Sequence, residues 1–176
     1  SSMSDNLLEN PGAEQGLSSW IIDQGVCEAM LDGDCAGTTP YSGEYYFCVG
    51  GLCTESPLAI MHQDIDVTSY TDSIDMGVLN VNFGAMMSDW SGSDVPEMRL
   101  QFLNVSGTEI GSTDYHEGPY TSWTLVGDNL AVPALTRTIR CELKGTRNEG
   151  TDNDSYFDDI FLKVGSPTLC EDTPVN

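Results

Sequence analysis

Thr138-Ile-Arg-Cys-Glu-Leu-Lys144 alternates without a break. Thr138, Arg140, Glu142 and Lys144 share one parity and are polar, while Ile139, Cys141 and Leu143 share the other and are apolar. Successive side chains of a strand point to opposite faces, so this segment reads as a strand with one face in a core and one in water. Cys141 is then directed inward. Working outward, residues 58–67, 78–86, 99–104 and 156–164 alternate in whole or in part, and Gly and other turn residues punctuate the chain between them. Residues 68–75 accommodate one short helical turn, and no long stretch carries apolar residues at i, i+3 and i+4. Repeated short strands with turn signals between them predict an all-β, antiparallel sandwich or barrel.

A chain of 176 residues suits one domain and is long enough to bury a core. Its hydrophobic fraction of 39% is too high for a disordered acidic tail, and no apolar run approaches the length of a membrane span. The charge balance is extreme, with 28 acidic residues against 6 basic ones and a net charge of -22. That excludes nucleic acid as a natural partner, because no basic patch exists to displace its counterions. An anionic membrane surface is disfavoured for the same reason. Cations are the natural partners of such a surface; the charge also serves solubility.

Six cysteines, Cys27, Cys35, Cys48, Cys53, Cys141 and Cys170, predict a disulfide-stapled fold and an oxidising, secreted or cell-surface location. Sequence does not choose among the 15 pairings that six cysteines allow. The expectation is two short loops, Cys27–Cys35 and Cys48–Cys53, with Cys141–Cys170 tying down the tail. Zinc is the weaker alternative, since no Cys-x-x-Cys pair exists and His62 and His116 lie far from any knuckle spacing. Asn104-Val-Ser and Asn153-Asp-Ser match the glycosylation triplet, in keeping with secretion. Residues 1–5 are expected to be a remnant or disordered start, residues 6–164 the domain, and residues 165–176 a tail pinned by Cys170.

The two ends carry the recognisable pieces. Asn6-Leu-Leu-Glu-Asn-Pro-Gly-Ala-Glu14 and Gly16-Leu-Ser-Ser-Trp20 open the chain, and Asn153-Asp-Ser-Tyr-Phe-Asp-Asp-Ile-Phe-Leu162 closes it. Tyr41-Ser-Gly-Glu-Tyr-Tyr46, Gln63-Asp-Ile-Asp-Val67 and Thr136-Arg-Thr-Ile-Arg140 lie between. This ordered set resembles the galactose-binding-like jelly-roll superfamily, and within it the family 4 and family 22 carbohydrate-binding modules. The resemblance implies two antiparallel sheets with the chain termini side by side. It also implies a structural calcium ion where they meet, held by the Gly12 carbonyl, the Glu14 carboxylate, the Glu44 carbonyl and the Asp158 carboxylate. The chemistry agrees, because calcium takes six to eight oxygens and mixes carboxylates with carbonyls. Parity places Asp158 with Ile160 and Leu162, facing inward where an unpaired carboxylate is costly. Asp159, the neighbouring candidate, falls on the opposite parity with Phe157 and Phe161. Without calcium, Glu14 would cap a turn and Asp158 would accept backbone hydrogen bonds. Asp152-Asn-Asp154 lacks the spacing and glycine of an EF-hand loop and reads as a solvated turn.

No Gly-x-Ser-x-Gly elbow, His-Glu-x-x-His pair or phosphate loop is present, so the chain reads as a binding module and not an enzyme. The resemblance makes carbohydrate or a glycoprotein the leading partner. A sugar site needs flat aromatic faces and polar groups for hydroxyls. Trp90, Tyr115, His116, Tyr120 and Trp123 lie in or beside loops and are the candidate ligand residues. Trp20, beside a strand start, is expected in the core. The other reading is a structural or adhesive module that contacts protein, with exposed aromatics as anchors. A sugar-binding module should show a groove with one or two rings flanked by Asn, Asp or Gln, and an adhesive one a flatter patch. The segment from Cys27 to Cys53 stands outside the common pattern and would build or block a ligand face.

Overall fold

A computed structural model describes residues 3–118 and 121–166. Eleven strands form two antiparallel sheets packed face to face. The six-stranded sheet contains β1 (Ile21–Gln24), β4 (Leu58–Asp66), β10 (Thr138–Thr146), β6 (Val95–Leu103) and β7 (Glu109–Ser112), in that order, with β8 (His116–Glu117) also on β6. The five-stranded sheet runs β2 (Cys27–Leu31), β3 (Tyr45–Val49), β11 (Tyr156–Gly165), β5 (Asn80–Ser88), β9 (Thr124–Ala131). Among the described residues the one α-helical turn is α1 (Thr71–Asp75), where a helical turn is expected.

Strand β10 behaves as its alternation predicts. Cys141 is opposite Gln63 on one side and Leu100 on the other. Ile139, Cys141 and Leu143 are wholly buried. They pack with Phe47, Phe83, Phe102 and Phe157 between the sheets. Trp20 joins this core edge-on to Phe47, and its indole N–H donates to the Asn10 carbonyl at 3.0 Å.

The short-loop disulfide expectation is overturned. Cys35 bonds Cys53 across a Cα separation of 5.4 Å. Cys27 faces Val49 and the core, while Cys48 faces Glu28 on the opposite side of the sheet. Cys27 therefore points into the core, away from the 3-10 turn (Asp34–Ala36) and the loop after β3 where the bonded pair sits, while the Cys48 thiol donates to the Asn153 carbonyl at 3.1 Å. Glu28 anchors that loop from below, accepting the N–H groups of Leu52, Cys53 and Thr54. Cys170, the expected partner of Cys141, lies outside the described residues.

Met3 and Ser4, expected to precede the domain, bond to its last strand. Met3 bridges Gly165, and Ser4 N–H donates to the Val164 carbonyl at 2.7 Å. Leu7 N–H then donates to Leu162. The opening segment thus runs beside β11, and the domain extends through Gly165. Asn153 is fully buried, with its amide donating to Ser56 and Gly145 carbonyls, so it has no room for a glycan. Asn104 sits in a half-buried turn, its side-chain oxygen accepting from Ser106 and Thr108.

Candidate functional site

The termini do meet at the junction expected for calcium, but by a different route from simple parity. Asp158 is opposite Met86 and Phe161 is opposite Gly84, so Asp159 and Ile160 together face one residue. This is a β-bulge, with Asp159 at a positive φ of 45°. The bulge flips the alternation. Ile160 and Leu162 enter the core, whereas Asp158 points to the outer face with Tyr156. It is buried there under the 41–45 loop and the turn at Gly12, not between the sheets.

Asp158 Oδ2 accepts the N–H groups of Tyr41 and Ser42 at 3.0 and 3.1 Å, and Oδ1 accepts that of Asp159 at 2.8 Å. Glu14 Oε1 accepts from Glu44 and Tyr45 at 2.9 and 3.1 Å. The Ser42 hydroxyl donates to Asp159. Two glycines keep the carboxylates accessible to the backbone. A Cβ on Gly12 would lie 3.3 Å from Asp158 Oδ1, and one on Gly43, at φ 64°, would lie 2.1 Å from Glu14 Oε1. Burial lifts the Asp158 carboxyl to about 6, against the lowering effect of the N–H groups it accepts. Among the described residues no three His, Cys, Asp or Glu side chains converge as a metal cluster. A cation here would rely on two carboxylates and neighbouring carbonyls. Such an all-oxygen set fits a hard cation like calcium.

The four described aromatic and histidine candidates, Trp90, Tyr115, His116 and Trp123, do not form one site. Trp90 is 58% exposed in the turn between β5 and β6. Trp123 is half-buried, its indole N–H donating to the Thr39 carbonyl at 2.9 Å and its ring near Tyr41, Tyr46 and Tyr156. It clamps the disulfide-braced segment onto the outer face of the five-stranded sheet. His116 sits edge-on to Phe83, 3.3 Å from Asp128. Tyr120 lies outside the described residues. Of the four described candidates, Tyr115 lies over the outer face of the six-stranded sheet, in contact with β6 and β10.

That face carries an ordered polar array, because the polar parity of β10 is flanked by β4 and β6. Glu142 is opposite His62 on one side and Arg99 on the other, and Ile21 lies beyond His62. Arg99 grips Glu142 through two hydrogen bonds of 3.1 and 3.2 Å, and the Tyr115 hydroxyl donates to the same carboxylate. The Tyr115 ring centre is 4.7 Å from the Arg99 guanidinium and 4.6 Å from the Lys144 ammonium. Glu142 is thereby only 7% exposed, although its parity predicts a solvated residue. In the next lane Arg140 pairs with Asp64 at 2.8 and 3.0 Å, which holds the Asp64 carboxyl below the usual range. On the other side of Glu142, in the Lys144 lane, burial, with Glu117 opposite, raises the Glu97 carboxyl. A trough of about 490 Å³ opens at the edge of β4 beside β1, lined by Leu7, Glu9 and Ser19 as well as by Asp64 and Asp66. The face offers an aromatic ring, fixed carboxylate acceptors and fixed cationic donors. These are the groups that take a ring of hydroxyls. Arg99, Glu142 and Lys144 carry no motif. Their signal was the unbroken polar parity of β10, which by itself says only solvent.

The structure of the chain is similar to those of several carbohydrate-binding modules. Over 93% of this chain and 97% of its own, the CBM22-1 xylan-binding domain of Paenibacillus barcinonensis Xyn10C matches with a TM-score of 0.57 at 10% identity. A family 16 carbohydrate-binding module matches over 89% of this chain and 99% of its own, with a TM-score of 0.54 at 18% identity. The chain has the fold of a carbohydrate-binding module. The resemblance to family 22 modules read from the two ends of the chain thus holds in three dimensions. The same fold recurs within the enzymatically active domain of the bacteriophage CBA120 tailspike protein 4, with a TM-score of 0.63 at 12% identity, where this chain covers 89% of itself and only 21% of that larger chain. No family model matches the sequence, and no curated protein does. At these identities the module likeness is one of fold.

Proposed function

We propose that this chain is a non-catalytic carbohydrate-binding module whose glycan lies on the outer face of the six-stranded sheet. The observation that carries the reading is the junction of the Tyr115 ring and the Glu142 carboxylate, held together by Arg99 on an open sheet face. A sugar stacks its C–H face on the ring, which Glu142 holds in place from beneath, while its hydroxyls donate to Asp64 and accept from Lys144 or Arg140. Much of the ordering cost is met beforehand, because these side chains already hold one another in place. The fold found in xylan-binding and other carbohydrate-binding modules supports the same reading.

A structural calcium ion belongs to this proposal. Glu14 and Asp158 would hold it with the carbonyls of Gly12 and Glu44, and Asp159 stands beside them. The ion would supply positive charge to a buried carboxylate and tie both chain ends to the 41–45 loop. Extracellular location is supported by the Cys35–Cys53 disulfide, and no helix among the described residues is long and apolar enough to cross a membrane.

A broad glycan array in calcium buffer tests the proposal, with Tyr115→Ala printed alongside. Hits lost in the variant support it. An array blank for the native chain contradicts it.

A further inference from the structure

The opposite sheet carries a second open face that the Tyr115 site does not use. Along β5 and β9 its outward residues oppose one another as pairs: Met86 with Leu125, Gly84 with Gly127, Asn82 with Asn129. Phe161 and Lys163, on β11, stand opposite Gly84 and Asn82. The glycines are structural requirements of this surface. A Cβ on Gly84 would lie 2.4 Å from the Val126 carbonyl and 2.9 Å from the Phe161 ring, and one on Gly127 would lie 2.2 Å from the Phe83 carbonyl. The Phe161 ring thus leans over a floor with no side chains.

Two depressions meet there. One, of about 420 Å³, is lined by Tyr41, Met86, Leu125, Phe161 and Lys163 among others. The other, of about 350 Å³, is lined by Asn82, Leu125, Gly127, Asn129 and Phe161 among others. They share Leu125 and Phe161, so they form one trough, about 13 Å along β5 from residue 86 to residue 82 at the rise of a strand. Tyr41 closes one end.

The trough differs in character from the rest of the molecule. Its middle is built of an aromatic ring, two glycines and two asparagines, and Asp128, Asp159 and Lys163 line its margins. Among the described residues the Asn82 side chain makes no hydrogen bond and Lys163 makes no ion pair, so their donors are free beside the ring. A ring, a cleared floor, the unengaged Asn82 amide and the amino group of Asn129, whose oxygen accepts from Asn80 at 3.0 Å, suit a polar, ring-shaped ligand. A charged polymer or a purely apolar segment would leave the amides or the charge unmatched.

We propose that this trough is a second carbohydrate-binding surface, taking an uncharged oligosaccharide that stacks on Phe161 and hydrogen-bonds to Asn82, Asn129 and Lys163. It is on the far side of the sandwich from Tyr115, so one module engages two glycan chains at once.

The test is a titration of the 15N-labelled full chain with cellohexaose, xylohexaose and mannohexaose, followed by NMR. At least one probe is expected to move the signals of Asn82, Gly84, Gly127 and Asn129. These shifts persist in Tyr115→Ala, so failure of the first site leaves them intact. Phe161→Ala weakens the response about tenfold, a loss of one stacking contact. Should that variant fail to fold, Asn82→Ala reads the same surface, because it removes no internal hydrogen bond. The proposal is overturned if no probe moves those signals. It is equally overturned if the response is undiminished in the folded variants. A dimer by light scattering that Phe161→Ala dissociates would also overturn it, since the face would then be a self-contact.

Discussion

Tyr115 donates its phenol hydrogen to Glu142, whose carboxylate also accepts from Nε and Nη2 of Arg99. The pairing draws a glutamate from the polar face of β10 under an aromatic cover and leaves it 7% exposed. Replacing Glu142 by Gln keeps the shape but strands Arg99 and weakens two charge-assisted hydrogen bonds. We expect a loss of about 2 kcal/mol in chemical denaturation. Tyr115→Phe, which keeps the ring and removes only the hydroxyl, should cost about 1 kcal/mol. Equal stability of Glu142→Gln and the native chain would show that the array is not the preorganised unit described.

The proposed calcium ion would bind only the folded junction of Glu14, Gly12, Glu44 and Asp158. At a free concentration one hundred times its Kd it would stabilise the fold by about 2.7 kcal/mol. Thermal unfolding with chelator and with added calcium checks this. The melting temperature should rise with calcium in the native chain and not in Asp158→Asn. An unchanged native melting temperature would remove calcium from the account.

The Cys35–Cys53 bond closes a loop of 18 residues in sequence separation. Constraining a loop of this size in the unfolded chain stabilises the fold by about 3 kcal/mol. The Cys35→Ser, Cys53→Ser double variant should therefore unfold at lower denaturant by that amount. Reductant should do the same to the native chain and leave the variant unaffected.

Asp154 sits half-buried, accepting the Tyr156 hydroxyl at 2.5 Å. Burial raises its carboxyl to about 6 despite that bond, and Asp94 and Asp152 add to the rise. Between its unfolded value near 3.8 and about 6 the folded state binds the extra proton. This group's contribution to stability therefore falls as pH rises through that window. Asp154→Asn, which keeps an acceptor for Tyr156, should flatten the fall. Because water reaches the site, we expect a difference of about 1 kcal/mol between pH 4 and pH 7. Parallel pH profiles for the two proteins would contradict this.

The main strands were legible because each buries one face. Residues 58–67, 78–86, 99–104, 138–144 and 156–164 correspond to β4, β5, β6, β10 and β11. The short strands β1, β7 and β8 were not legible. They lie at the edge of their sheet and are largely solvent-exposed, so they carry no apolar alternation. The direction of Asp158 was misread because a bulge changes parity, and Asp159 at φ 45° shows no local sequence signal such as glycine. The cysteine pairing escaped reading because it depends on which face of β2 and β3 each thiol takes. Of the aromatic candidates, proximity in sequence grouped Tyr115, His116 and Trp123, but the strand pleat and the return of β9 send them to different faces.

The most direct test of the central claim is affinity electrophoresis of the native chain and Tyr115→Ala through gels containing soluble uncharged polysaccharides. Xylan, glucan and mannan would be run in parallel, with calcium present. The account predicts that at least one polysaccharide retards the native chain and that folded Tyr115→Ala is retarded markedly less. A native chain that no polysaccharide retards would contradict carbohydrate binding, and equal retardation of the two proteins would contradict the Tyr115–Glu142 face as its site.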